Sequence, residues 1–410
     1  MPIRRRLTTA AACTVLLIGA AAGATGATVA PAHLPVAHAQ NQDGRGTLVH
    51  TERLYTLKTR EAVTAELTRS GFDASQARHG VDAYRLTYRT IDPQGQPTTA
   101  SGLLVLPRGR ENRLRAVSFA HGTSSQRGDA PSVQRGTFLT GPPVAYASAG
   151  FAAVAPDYLG LGTGPGPHPW MHVPSETTAS LDLLRAARAF HPLDRKVLVT
   201  GFSQGASAAL GLGRALQVGD DRYFRLGALA PISGAYDFGG AELPALLAAE
   251  LDRKSSVIYA AYTLVAFNRV HRVYDDPREV FEDPTVEALF DGEHTGADLY
   301  RGTPDSLEEL LTSYGLDLLA HPRGGLADAL RETDSVCRDW TPRVPVRLYM
   351  ASGDEQATTA NTAHCAESMR SMGVEPKVVD LGAVDYTESR HLGSNVKGTE
   401  EVLRWFRQLT

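Results

Sequence analysis

Between an apolar run, Lys196–Thr200, and a run of small and apolar residues, Gly205–Leu216, the chain places Gly201-Phe202-Ser203-Gln204-Gly205. The first run reads as a short buried strand and the second as a helix. Glycines on both sides of a serine, at a strand-to-helix junction, allow a turn tight enough to hold that serine in a strained conformation. Its hydroxyl then stands above the C-terminal edge of a sheet. The pentapeptide alone is common in a chain with 39 Gly; the strand before it and the helix after it make it informative.

The flanking pattern extends the same architecture. Arg115–Ala120, Phe151–Ala155 and Leu226–Ile232 read as further strands, and Ser175–Phe190 as a helix with Pro192 beyond it. Upstream, residues 58–69 read as a helix closed by Gly71. Tyr84, Leu86 and Tyr88 alternate with arginine and threonine, and the turn Asp92-Pro93-Gln94-Gly95 leads to a strand at 98–106, an antiparallel pair. Val344–Met350 and Lys377–Leu381 resume the strands, and 396–408 reads as a closing helix. Strands alternating with helices predict an α/β fold: a mostly parallel sheet with helices on both faces. Residues 237–341 hold no convincing strand and read as short helices. They predict a helical cap, or lid, inserted into a core made of 40–236 and 342–410.

Composition narrows the function. Charged residues make up 21% and the net charge is −4, with no basic cluster after the first six residues, so a nucleic-acid partner has no electrostatic footprint. Arg4, Arg5 and Arg6, the apolar run Ala10–Ala22 and the closing Ala37-His38-Ala39 match a secretory signal peptide, 1–39, cleaved after Ala39. No later segment is long and apolar enough to span a bilayer, so no stable membrane insertion is expected. Cys13 would leave with the leader. Cys337 and Cys365 would remain in an oxidising setting, where a disulfide is the natural reading. His168 and His172 have the spacing of a metal pair, but Pro169 intervenes and no Glu follows the first, so the helical zinc motif fails and no metal is expected.

A serine needs a base, and the base an orienting carboxylate. His391 follows the last strand and precedes the closing helix; His364 is its rival, inside a helix beside Cys365. Asp354, in Ser352-Gly353-Asp354-Glu355, stands at a strand end on the serine's edge, with Asp380, Asp385 and Glu355 as rivals. A tetrahedral intermediate would need backbone donors: the N–H of Gln204 and one from His121-Gly122-Thr123, first Thr123 and then Gly122. His121 itself reads as loop packing. Gly160-Leu161-Gly162-Thr163-Gly164 is followed by Pro165, Pro167 and Pro169, which forbid a dinucleotide-binding helix; it reads as a rigid loop near the site's rim.

With these residues in hand, the chain from about residue 80 onward resembles the α/β-hydrolase superfamily, and within it secreted esterases and lipases of the secretory-lipase type. The likeness rests on His121-Gly122-Thr123, Asp157-Tyr158, Gly201-Phe202-Ser203-Gln204-Gly205, Gly353-Asp354 and His391. It implies carboxylic-ester hydrolysis through an acyl-enzyme, without cofactor, under a cap inserted after the sixth strand. Ala206 departs from the pattern, since relatives often carry a second Gly there. Residues 40–80 receive no role.

Two other functions stay open. A serine peptidase of the same fold would need an acidic group to hold a substrate amine, and Glu242, Glu250 or Asp252 could serve. A non-catalytic hydrolase-like binding protein would be expected to lose one of Ser203, Asp354 and His391. In the cap, Leu243, Leu246, Leu247, Ile258, Tyr259, Val265 and Phe267 exceed what short helices bury among themselves, and part of them is expected to line an apolar acyl pocket for a small-molecule or lipid ester.

Overall fold

A computed structural model describes residues 44–110 and 112–409. The proposed leader and Cys13 lie outside the described residues. Among the described residues nine strands form one sheet: β1 (Leu48–Leu57), β2 (Val81–Ile91), β3 (Pro97–Pro107), β4 (Leu114–Ala120), β5 (Ala152–Pro156), β6 (Leu193–Phe202), β7 (Arg225–Ile232), β8 (Arg347–Met350) and β9 (Lys377–Asp380). Their order is β1-β2-β3-β5-β4-β6-β7-β8-β9. β1, β2 and β3 pair antiparallel, as do β3 and β5; every pairing from β5 onward is parallel. β5, Ala152-Ala153-Val154-Ala155-Pro156, is buried along its whole length, as a central strand covered on both faces must be.

Helices α1 (Arg60–Arg69) and α2 (Gly141–Ser148) cover one face, and α3 (Val173–Phe190) and α4 (Gln204–Val218) the other. The chain leaves β4 for β5 on one side, then crosses back over β4 to β6. This reversal opens a crevice beyond the C-terminal ends of β4 and β6, the place where open α/β sheets hold ligands. Ala120 at the end of β4 pairs with Gly201, two residues before Ser203.

Between β7 and β8 lies a helical segment with α5 (Leu243–Leu247), α6 (Arg253–His271), α7 (Gly296–Gly302), α8 (Leu307–Leu310), α9 (Ser313–Ala320) and α10 (Gly324–Thr333). Its only strand-like feature among the described residues is the bridge Phe281–Leu311. It has a hydrophobic core of its own, built around α6, from Val257 through Phe267. After β8 come α11 (Ala360–Ser371) and α12 (Arg390–Gln408), the latter packed on the α1–α2 face. Cys337 and Cys365 are joined, with Cα atoms 5.2 Å apart, so the end of the helical segment is fastened to α11. Closing this loop stabilises the fold by about 3–4 kcal/mol in the chain-entropy picture. No helix among the described residues is long and apolar enough to cross a membrane.

Several boundaries differ from the sequence reading. The segment 48–57 is a strand, so residues 40–80 contribute an edge strand and α1, and the helical segment follows the seventh strand, not the sixth. Register shifts at Leu48/His50 and Arg53/Tyr55 break the alternation that would have exposed β1 to a pattern search. β8 begins at Arg347 rather than Val344; Pro345 has no N–H to give a ladder, although its carbonyl accepts from Leu229 N–H at 3.1 Å. α12 begins at Arg390 rather than 396, because its first turn is capped by residues from elsewhere, described below.

Candidate active site

Ser203 takes φ 55° and ψ −124° at the junction of β6 and α4. A side chain at Gly201 would collide with the Gly205 carbonyl, and one at Gly205 with the Ala120 carbonyl, so only glycine fits on either side of this turn. The Ser203 N–H donates to the Ile232 carbonyl at 2.9 Å, tying the strained residue to β7.

His391 Nε2 lies 2.9 Å from Ser203 Oγ, and His391 Nδ1 lies 2.9 Å and 3.0 Å from the two Asp354 carboxylate oxygens. An ionised carboxylate only accepts, so Nδ1 carries the proton and Nε2 is left to accept from the serine hydroxyl. Asp354 follows β8 and is held by the Gln356 and Ala357 N–H groups at 3.0 and 2.9 Å. Burial alone would raise its pKa; the facing imidazole and these N–H donors reverse that, and it sits below the ordinary carboxylate value. Burial likewise pulls His391 down, but Asp354 outweighs it, and the imidazole sits above its ordinary value.

His391 lies in the first turn of α12, not ahead of the helix. Glu355 places it there. One Glu355 oxygen accepts the N–H groups of Arg390 and His391 at 3.0 and 3.3 Å, and the other accepts from the Ser389 hydroxyl. Ser389 Oγ in turn accepts from Leu392 N–H at 3.1 Å. The residue beside the acid therefore caps the helix that carries the base. Its role is long-range and has no signal in local sequence.

The rivals are engaged elsewhere. Asp380 accepts from Ser352 Oγ at 2.5 Å and from Gly382 N–H at 2.8 Å. Asp385 accepts from Glu388 N–H at 3.2 Å. His364 meets Asp237 at 2.7 Å.

Gly122 runs beside the serine: a Cβ there would stand 3.4 Å from Ser203 Cβ and 2.9 Å from the Phe202 ring. Thr123 next to it is held by Trp170, whose Nε1 donates to Thr123 Oγ1 at 3.0 Å. His121 packs on Tyr158, ring centroids 4.4 Å apart, and burial lowers its pKa to about 4, so it is a neutral loop residue. The N–H of Gln204, at the first position of α4, has no carbonyl one turn back to bond. The Gln204 side chain points away from Ser203: its Nε2 donates to Glu176 Oε1 at 2.6 Å and lies 3.0 Å from His168 Nε2. Glu176 and His168 lie 28 and 36 residues from Gln204 along the chain, so no local pattern announces these contacts.

No protein-family profile matches the chain, and no curated protein does. Solved structures do. The rice cell wall degrading esterase LipA from Xanthomonas oryzae superposes with TM-score 0.74 at 27% identity, covering 89% of this chain and 98% of that one. The chain has the α/β-hydrolase fold. A putative hydrolase from Legionella pneumophila (TM-score 0.75, 22% identity, 88% and 98% covered) and Candida antarctica lipase A (0.61, 14%, 82% and 77%) share the fold.

In this α/β-hydrolase fold a cavity of about 120 Å³ opens on Ser203 and His391, lined by Phe119, Phe138, Leu139, Phe202, Tyr259 and Leu392 among others. A second, of about 410 Å³, adjoins it through Thr123, Phe138 and Leu139 and is lined further by Asp129, Ile258, Tyr262 and Leu299. Of the seven apolar residues of which part was expected to line a pocket, Ile258 and Tyr259 line these cavities. Leu243, Leu246, Val265 and Phe267 are buried in the helical segment's own core and Leu247 packs against it. Glu242, Glu250 and Asp252 line neither cavity. Glu242 is buried, accepting from Thr358 N–H and Asn361 Nδ2, and Asp252 caps α6. The proline-rich stretch 165–169 lines a separate cavity of about 300 Å³ rather than the rim of this one.

Proposed function

We propose that the chain is an exported serine hydrolase that cleaves carboxylic esters through an acyl-enzyme on Ser203. The observation that carries this reading is the unbroken chain of hydrogen bonds from Ser203 through His391 to Asp354, at the mouth of an apolar cavity. Esterases and lipases among the structural neighbours support it. Ser203 Oγ attacks the ester carbonyl carbon while its proton passes to His391 Nε2. The resulting imidazolium is stabilised by ionised Asp354. Negative charge on the carbonyl oxygen is met by the backbone N–H of Gln204 and by that of Thr123, with Gly122 letting the loop after β4 run close to Ser203. The tetrahedral centre collapses, the C–O bond to the alcohol breaks, and His391 returns the proton to the departing oxygen. Water then repeats the cycle on the acyl-serine and releases the acid.

In this reading the helical segment 237–341 acts as the cap, with Ile258 and Tyr259 of α6 bounding the substrate's space. The carboxylates named for a peptidase, Glu242, Glu250 and Asp252, are absent from both cavities, and Asp129 is the one acid that lines the larger. The leader and the disulfide fit an exported protein.

The test is a panel of nitrophenyl esters of increasing chain length beside aminoacyl nitroanilides, run on wild type and Ser203→Ala. We expect ester turnover, little anilide turnover, and a loss of about 10⁴-fold or more in the folded variant. A folded Ser203→Ala protein that keeps its activity overturns the assignment.

A further inference from the structure

We propose that His172, His271 and Glu332 form a Zn²⁺ site that fastens the helical segment to the core. The three side chains come from different places. His172 caps the start of α3, His271 ends α6, and Glu332 lies in the last turn of α10. Their ligand atoms all lie within 4.8 Å of one another. Glu332 Oε2 is 3.2 Å from His271 Nε2 and 3.6 Å from His172 Nε2. A tetrahedral zinc ion with bonds of about 2.0–2.1 Å holds its ligands about 3.4 Å apart. These separations therefore already suit the ion.

An ordinary ion-pair network accounts for only part of the cluster. His271 and Glu332 are within hydrogen-bond reach. His172 is not served: its side chain is 8% exposed, its Nδ1 is buried with no hydrogen-bond partner, and its Nε2 lies beyond hydrogen-bond length from Glu332. A buried imidazole that is left unsatisfied costs free energy. A metal bond would give Nε2 the close partner that Glu332 does not provide, while Nδ1 stays as it is. Two imidazoles and one carboxylate suit zinc rather than calcium or magnesium, which prefer all-oxygen shells. Glu332 is 36% exposed and His271 18%, so the ion has a route in and a fourth position open to water. The sequence pairs His172 with the wrong histidine: His168 faces Gln204, whereas the second ligand arrives from the end of α6.

The site would also act on the loop before α3. Thr333 Oγ1 already donates to the Met171 carbonyl at 3.1 Å, next to both Glu332 and His172. The same loop carries Trp170, which holds Thr123, and His168, which touches Gln204. An ion on His172 thus braces the segment that supports the candidate oxyanion donors without touching them.

The experiment uses the full mature chain, stripped with chelator and titrated with Zn²⁺ against a chromophoric competitor. Co²⁺ serves as a spectroscopic probe, and Tm is followed in parallel. We expect one strong site per chain, visible Co²⁺ bands of tetrahedral intensity, and a Tm that climbs with Zn²⁺. In His271→Ala and in Glu332→Gln, affinity should fall at least about ten-fold and the Zn²⁺-dependent rise in Tm should vanish. Glu332→Gln keeps the side chain's shape at the surface, so a folded variant is available whatever His271→Ala does. Any background from the other histidines is common to all three proteins. Zn²⁺ binding by wild type that does not exceed that of the variants overturns the proposal.

Discussion

Two histidine–carboxyl sets flank Ser203, and their surroundings move their acidities in opposite directions. On one side, Asp354 faces His391 directly at 2.9 Å; the acid is held below its ordinary pKa and the base above it. On the other, Glu176 and His168 share Gln204 between them instead of each other. Desolvation then wins: Glu176 is pushed up to about 8 and His168 down to about 3. Both sets are buried and use the same chemical groups. One intervening amide decides whether burial separates charge or removes it. In the proposed mechanism the first set moves a proton, and the second is a neutral frame that orients the residue after Ser203.

The sharpest way to break this contrast is to neutralise each acid in turn. Asp354→Asn should lower ester kcat by about 10⁴-fold, because the wrong imidazole tautomer results. Glu176→Gln should leave kcat within about ten-fold, since the carboxyl it replaces is already neutral at pH 7. Equal losses in steady-state assays would erase the distinction. Next in size is the acid limb of the pH–rate profile. His391 must be neutral to accept the serine proton, so kcat/KM of wild type should rise through an apparent pKa above 6.5, and Asp354→Asn should move that limb lower. A wild-type limb centred below 6.5 would contradict the pairing.

The smallest effect is on stability. Glu176 holds its proton to about pH 8 when folded but to about 4.5 when free. Stability from this group is therefore full below pH 4.5 and is lost as pH rises towards 8, by at most a few kcal/mol. Glu176→Gln should flatten that decline in denaturant titrations. Glu242 and Asp334, each raised to about 7 by burial, push the same way and leave part of the slope. An unchanged slope in the variant would place the titration elsewhere.

The difference between the two sets also explains what could be read from the sequence. Ser203, Asp354 and His391 each follow a strand, and strand ends are local patterns. Their chain order does the rest, and the structure brings the three together. Glu355, Glu176 and His168 act across the fold on backbone or on Gln204, and nothing near them in sequence announces a partner. The parallel sheet was legible because buried strands are short apolar runs; β1 was not, because bulges interrupt its alternation. The helical segment was legible as helices. Which of its apolar residues face the cavities was not, because α6 is buried nearly all round and offers no single apolar stripe to assign.

The capping of α12 by Glu355 has a consequence for how the protein comes into being. The serine and its strained turn belong to β6 and α4, whereas the base rides on the last helix described. A chain emerging from a ribosome or an export channel makes the nucleophile first. It then adds the whole helical segment, the strand that shields the open edge of β7, and only afterwards the helix with His391. Until Ser389, Arg390 and His391 dock on Glu355, the serine has no base. Docking of that helix is therefore the step that completes the hydrogen-bond chain on Ser203, and a half-made or clipped chain would lack it.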